Sequence, residues 1–301
     1  MTYSVDYFPY HNLLNPPLQT RYGCWSIREG ITLRLIDDEG RTGWGEIAPL
    51  PWFGTETLAL ALEFCQALAG QITAQQIEII PAQLPCCQFA FGSALADLTE
   101  TAAGPSKYPL AYCQLLPTGE AALDVLAQGL LPGVTTFKWK IAVQSFAVES
   151  ALLLRLLDQL PPQGRLRLDA NGGLDFATIQ CWLALLDTLP AIEFLEQPLP
   201  PGQETEMQAF GQNFRTVLAL DESVSSLAQL QQAYDQGWPG VYVLKAAIMG
   251  FPTTLAQWLE AHPLDAVFSS VLETAVARCQ VLALARRYNH PQRAVGFRPI
   301  C

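Results

Sequence analysis

Five charged residues, Lys140, Asp169, Glu196, Asp221 and Lys245, recur along this chain of 301 residues at intervals of 29, 27, 25 and 24. Each stands at the C-terminal end of a short apolar run that reads as a β-strand. One interval is the length of a strand, a helix and two loops. A strand–helix repeat of that size is the period of a parallel (β/α) barrel. Strand C-termini face the mouth of such a barrel. The spacing therefore predicts a fold and, with it, two lysines and three carboxylates gathered round one cavity.

Segments 111–115, 136–141, 165–169, 191–196, 216–221, 241–245, 265–270 and 293–297 read as the barrel strands. Amphipathic stretches fall between them, among them 146–160, 176–189, 227–236 and 275–288. The first hundred residues read differently. Segments 31–37 and 42–48 alternate around the turn Asp38-Glu39-Gly40 and predict an antiparallel hairpin, followed by helices over 55–68 and 88–101. Gly104-Pro105-Ser106 punctuates the chain there. The expected organisation is an α+β capping domain over 1–105 and a barrel domain over 106–301. The Gly- and Trp-containing segments 18–28 and 49–55 are expected as loops that close the mouth.

Strand alternation sharpens the site. In Thr136-Phe137-Lys138-Trp139-Lys140-Ile141 the two lysines share one face and the three apolar residues the other. Two lysines pointing into a barrel need partners, and the carboxylates of the next strands are available. Taken singly, each acid could equally cap a helix or pair with Arg165, Arg167 or Lys245. Three acids on consecutive strands repel one another unless a cation sits between them. Oxygen ligands without His or Cys favour a hard ion, Mg²⁺ with Mn²⁺ as its substitute. Crowded ammonium groups beside a metal are expected to lower their pKa, which makes a lysine usable as a base. A Schiff-base lysine is the other chemical reading, and it has no need of three acids in a row.

Composition limits the partners. Half the residues are apolar and 15% are charged, so most of the chain should pack rather than stay disordered. A net charge of −11 argues against nucleic acid or an anionic membrane as partner, though not against an anionic small molecule met by local cations. No apolar run reaches the length of a membrane span, and residues 1–10 lack the pattern of an export signal. The eight cysteines show no CxxC pair and read as buried, reduced thiols of a cytoplasmic protein. His11, His262 and His290 fit no cluster and read as surface or structural residues.

The strings FKWK (137–140), LDANGG (168–173), EFLEQPLP (193–200), LALDESV (218–224) and VLKAAIMG (243–250) resemble the successive barrel signatures of the enolase superfamily. GWGEIAPLP (43–51) of the cap fits the muconate-lactonizing subgroup, which has KxK on the second strand and a lysine on the sixth. The resemblance implies a (β/α)7β barrel under an α+β cap, and abstraction of a proton α to a carboxylate with Mg²⁺ stabilising the enediolate. It implies Asp169, Glu196 and Asp221 as metal ligands, Lys140 as acid/base, Lys138 as its electrostatic neighbour and Lys245 as the opposing cation. Asn171 and Glu222 would support the ligands from behind. SIREGITL (26–33), GWGEIAPLPWFG (43–54) and FSSVLET (268–274) are similar to quinone-pathway dehydratases of the subgroup. That likeness implies a dicarboxylate substrate, a succinyl-hydroxycyclohexadiene carboxylate, met by Ser269, Ser270, Gly296 and Arg28. N-succinylamino acid racemases, dipeptide epimerases and muconate cycloisomerases use the same machinery. Residues 295–298 lack the Asp-x-Asp pair of dipeptide epimerases. A binding protein on a degenerate barrel is the reading from another class, and retention of all five charged strand ends disfavours it.

Overall fold

The computed structural model describes residues 1–20, 23–99, 109–128 and 130–298, so the boundary expected at Gly104-Pro105-Ser106 lies outside the described residues. The N-terminal part is a four-stranded antiparallel sheet in the order β3-β2-β1-β4, from β1 (Thr2–Thr20), β2 (Gly23–Ile36), β3 (Thr42–Ile47) and β4 (Gln71–Thr73). The β2–β3 pair is the expected hairpin, with Ile31 opposite Ile47 and Ile36 opposite Thr42. β1 was not anticipated, and it corrects the reading of 18–28 as a loop. Leu18 lies opposite Trp25 in the far end of a long β1–β2 ribbon. Leu13 and Ile27 are exposed there while Leu18 and Trp25 are half-buried, so no regular apolar–polar alternation marks that end in the sequence.

Three helices complete the cap: α1 (Leu58–Ala67), α2 (Ala74–Glu78) and α3 (Pro85–Leu98). α3 is buried along most of its length and lies directly on β3. The contact is possible because β3 carries glycine at 43 and 45. A Cβ at Gly43 would overlap the Ala94 carbonyl, and one at Gly45 would overlap the Ala90 carbonyl. The obstacle in each case is helix backbone, which cannot swing aside. Gly45→Ala is therefore expected to destabilise the protein by about 1–3 kcal/mol through overpacking, measured as a lower urea midpoint at unchanged slope.

The barrel strands are β5 (Cys113–Leu115), β6 (Thr136–Lys140), β7 (Arg165–Asp169), β8 (Ile192–Glu196), β9 (Leu218–Leu220), β10 (Val241–Leu244) and β11 (Ala266–Phe268). They form one parallel sheet in sequential order. The helices between and after them are α4 (Ala121–Gln128), α5 (Phe146–Gln159), α6 (Phe176–Leu186), α7 (Glu204–Asn213), α8 (Leu227–Asp235), α9 (Pro252–Ala261) and α10 (Ala275–Tyr288). The expected eighth strand contracts to two bridging residues. Val295 pairs with Tyr112 of the first strand's edge and Gly296 with Ser269 after the seventh. Val295 N–H donates to Ala111 O at 2.8 Å and Gly296 N–H to Phe268 O at 2.7 Å, which closes the ring as (β/α)7β. Gly296 is needed there, since a Cβ would stand 2.6 Å from Ser269 Oγ.

Alternation sorts the strand residues into two layers. Phe137, Trp139, Leu166, Leu168, Leu195, Leu220 and Leu244 belong to the large core that includes the helices. Phe194, Ala219, Val241, Val243 and Val267 form a separate apolar plug inside the barrel. An ionic layer also lies inside: Arg167 and Arg293 both bind Glu193, and Arg293 also binds Asp265. A bulge in the β7–β8 pairing at Glu193 lets that carboxylate reach Arg167. Arg167 thus gives its hydrogen bonds to Glu193 and the Ala294 carbonyl and reaches Glu196 only as a more distant charge.

Four of the seven described cysteines are buried (Cys65, Cys86, Cys87, Cys113) and none of the seven is in a disulfide. Cys24, Cys181 and Cys279 are exposed, contrary to expectation, because they fall on outward faces of β2, α6 and α10. No helix among the described residues is long and apolar enough to cross a membrane.

Candidate active site

Register brings the charged strand ends together. Lys140 on β6 pairs with Asp169 on β7, and Asp169 pairs with Glu196 on β8. Glu196 in turn lies opposite Ala219 on β9, and Asp221 is two residues further on the same face. The three carboxylates are 0%, 1% and 2% exposed. They are therefore neighbours at one end of the sheet and shielded from bulk water.

The lysines lie on the acids. Lys138 Nζ stands 2.9 Å from Asp169 Oδ2 and 2.7 Å from Glu196 Oε1. Lys140 Nζ donates to Asp169 Oδ2 at 2.9 Å and to Asn171 Oδ1 at 2.6 Å. On the far side, Lys245 Nζ is bonded to Asp221. Asn171 Nδ2 then donates to Glu222 Oε1 at 3.0 Å, so the two residues expected behind the ligands are joined to each other and to Lys140. Among the described residues no three acids are already arranged as a metal cage. Asp169 is met by Lys138 and Lys140, Glu196 by Lys138, and Asp221 by Lys245.

The electrostatics follow from burial and from these contacts. Burial pushes Glu196 well above the usual carboxylate range; Lys138 opposes this, and repulsion from Asp169 and Asp221 adds to it. Glu222 is raised in the same way, by burial first and then by Asp221 and Asp169. Burial would also raise Asp169, but Lys138 and Lys140 outweigh it and hold the group well below its ordinary value. Lys138 departs from expectation. Burial lowers it, yet Asp169, Glu196 and Asp221 together carry it above an ordinary lysine. Three facing carboxylates outweigh one neighbouring ammonium, which is why mutual lysine crowding does not set the direction.

The cap roofs the mouth through the segment 49–55. Phe53 O accepts from Ser225 Oγ at 2.9 Å, and the Phe53 ring lies 4.5 Å from Lys245 Nζ. Trp52 packs edge-on against Trp25 of β2 at 5.0 Å. Neither Phe53 nor Ser225 stood out in the sequence, because their meeting spans 172 residues. A second tie is Glu46, fully buried on β3. Its carboxylate accepts from Thr274 N at 2.8 Å, Thr274 Oγ1 at 2.5 Å and Ala277 N at 3.1 Å, at the N-terminus of α10. Tyr10 Oη adds a fourth hydrogen bond at 2.6 Å. GWGEI was legible as a motif, whereas its docking role was not.

The residues expected at the substrate divide into two groups. Ser269, Ser270 and Gly296 lie together beyond β11, with Ser270 N–H donating to Gly296 O at 3.2 Å. Ser270 Oγ is 2.9 Å from Glu273 Oε2, a carboxyl that burial raises. Arg28 is on β2, and its buried Nε and Nη2 have no hydrogen-bond partner among the described residues. It is buried in the cap, where Nη1 donates to Pro49 O at 3.1 Å and to Glu29 O at 2.5 Å. His11 pairs with Glu29 and His262 stacks on Trp258, both away from the carboxylates.

Comparison with known proteins agrees with this architecture. The family model described as Enolase C-terminal domain-like matches residues 119–290, and the one described as MenC, N-terminal domain, matches residues 5–98. An o-succinylbenzoate synthase of Thermosynechococcus vestitus is 44% identical over 292 residues, covering 96% of this chain and 90% of the relative. The chain belongs to the o-succinylbenzoate synthase family of the enolase superfamily. Another member of that family, from Edwardsiella ictaluri, is 33% identical over 86% of this chain and 78% of its own length. The crystal structure of the family member from Thermosynechococcus elongatus, complexed with Mg in its active site, has a TM-score of 0.88 at 43% identity and covers 98% of this chain and 92% of its own. A dipeptide epimerase from Enterococcus faecalis shares the fold, with a TM-score of 0.84 at 21% identity over 98% of this chain and 90% of its own.

Proposed function

We propose that the chain is a divalent-metal-dependent o-succinylbenzoate synthase, which removes water from a succinyl-hydroxycyclohexadiene carboxylate in menaquinone or phylloquinone biosynthesis. The observation that carries the reading is the register-aligned, buried row Asp169, Glu196 and Asp221 flanked by Lys140 and Lys245, in a chain of this family. The row fits a hard cation: its donors are all oxygen, and mutual repulsion already burdens Glu196. Asp169, Glu196 and Asp221 would hold Mg²⁺. When bound, the ion would draw off negative charge from the substrate carboxylate as the α-proton leaves.

The remaining chemistry belongs to the side chains. Lys140, neutral at that moment, takes the α-proton. The C–H electrons become ring π-electrons, the C–O bond breaks, and Lys140 returns its proton to the departing hydroxyl as water. One group serving both transfers makes the elimination syn, and formation of an aromatic ring drives it. Lys138 stays charged between Asp169 and Glu196. Asn171 Oδ1 aims the Lys140 Nζ. Lys245 faces the substrate from the opposite side as a fixed cation, in contact with Phe53 of the roof. Ser269, Ser270 and the backbone at Gly296 would receive the succinyl carboxylate. Arg28 Nη1 contacts the cap carbonyls of Pro49 and Glu29, while its buried Nε and Nη2 have no hydrogen-bond partner among the described residues, so the guanidinium would still offer two donors to a substrate carboxylate.

The placement of a lysine at either end of the carboxylate row also suits N-succinylamino acid racemisation, in which both would exchange protons. Incubation in D₂O with each substrate separates the two. We expect dehydration of the cyclohexadiene, with a rise in aromatic ultraviolet absorbance. Deuterium entering the α-carbon of N-succinylamino acids without any dehydration would overturn the assignment.

A further inference from the structure

Gln197 follows Glu196 directly and is fully buried. Its φ of +37° lies in the left-handed region, which an L side chain occupies when its surroundings hold it there. Every polar group of the residue is engaged. The N–H donates to Ala219 O at 2.8 Å, in register with the β8–β9 ladder. Continuing that parallel ladder would bring the Asp221 N–H to the Gln197 carbonyl. The carbonyl instead turns away and accepts from Gly172 N at 2.6 Å, in the loop after Asp169. The side chain takes over the abandoned position: Oε1 accepts from Asp221 N at 2.8 Å and from Ser223 N at 3.2 Å. Nε2 donates to Leu199 O at 2.9 Å and to Ser223 Oγ at 2.8 Å, which fixes the orientation of the amide. Ser223 Oγ passes its own hydrogen to Glu204 Oε1 at 2.5 Å.

One residue thus ties the loops bearing Asp169, Glu196 and Asp221 at the point where strand pairing ends, the first through its backbone carbonyl and the last through its side chain. The lysine ion pairs offset the repulsion among the three carboxylates, but their spacing is set by the backbone that carries them. We propose that Gln197 is the positioning residue that sets the spacing of Asp169, Glu196 and Asp221 for a divalent cation. It touches neither cation nor substrate and acts through the Asp221 and Gly172 backbone. The inference rests on the reading that these acids hold a metal. A carboxylate at 197 would fail in this role, because it offers no hydrogen to Leu199 O or Ser223 Oγ.

Gln197→Met keeps the length of the side chain and removes all four amide hydrogen bonds. Titration of metal-free protein with Mg²⁺ by calorimetry should give a dissociation constant roughly 10–100-fold weaker than wild type. The Mg²⁺-induced rise in melting temperature should shrink with it, whatever the variant's stability without metal. Ser223→Ala removes one of the four bonds and should weaken Mg²⁺ several-fold. Affinity within twofold of wild type in Gln197→Met overturns the inference. If that variant does not fold, Ser223→Ala decides, and unchanged Mg²⁺ affinity there overturns it equally. A wild-type protein that binds no Mg²⁺ overturns the metal reading itself and this inference with it.

Discussion

Lys140→Ala is expected to lower kcat for dehydration by roughly 10²–10⁴-fold, the contribution of a positioned acid/base group, while the fold and Mg²⁺ binding survive. The geometry explains why loss of function and preservation of structure should coincide. Lys140 bonds Asp169 and Asn171, and Asp169 keeps Lys138 as a second cation at 2.9 Å when Lys140 is gone. No buried carboxylate is orphaned, so the heavy penalty of breaking a buried ion pair does not arise. Lys140→Arg should fail nearly as badly, since a guanidinium does not give up its proton to act as a base. Single-turnover ultraviolet absorbance measures the step directly. Retention of more than a tenth of wild-type kcat in Lys140→Ala would show that another group moves the proton.

Stripping divalent metal with a chelator should abolish turnover, and added Mg²⁺ should restore it. A Lewis acid supplies several kcal/mol of charge stabilisation; at about 1.4 kcal/mol per tenfold, that is a loss of about three orders of magnitude or more. Near-ultraviolet circular dichroism should nevertheless stay native. Lys138 bridges Asp169 and Glu196, and Lys245 pairs with Asp221. These lysines would supply countercharge to the three buried acids once the metal is removed, which is why the fold should persist. Activity that persists in chelator, with metal content checked by elemental analysis, would remove the metal from the mechanism.

The legible parts of the fold were those written in short-range pattern. Alternation in Thr136–Lys140 correctly placed Phe137 and Trp139 against the helices and the lysines on the other face. The hairpin of β2 and β3 was visible because one of its faces is buried and the other is not. β1 was missed although Tyr3, Val5 and Tyr7 alternate with Thr2, Ser4 and Asp6 and pack on the core; only its far end lacks that signal. The eighth strand was read at five residues and is two bridges, a difference set by closure against residues 112 and 269. In the site, the five charged strand ends were found by spacing alone. Glu46 and Gln197 were not, since the work of each lies in partners reached across the fold: Thr274 for Glu46, and Gly172 and Asp221 for Gln197. Arg28 was placed at the substrate by likeness; Nη1 meets cap carbonyls and two further nitrogens are buried without a partner among the described residues.

By itself the sequence determined the barrel period, the order of the charged strand ends, and therefore which residues share one rim. Those properties depend on the repeat length and on the twofold alternation of a strand, both of which are local. The tertiary structure alone decided which lysine neutralises which acid, how Gln197 replaces a missing rung of the ladder, and how Glu46 and Phe53 seat the cap on the mouth. These depend on distances between residues far apart in the chain, and no local pattern encodes them.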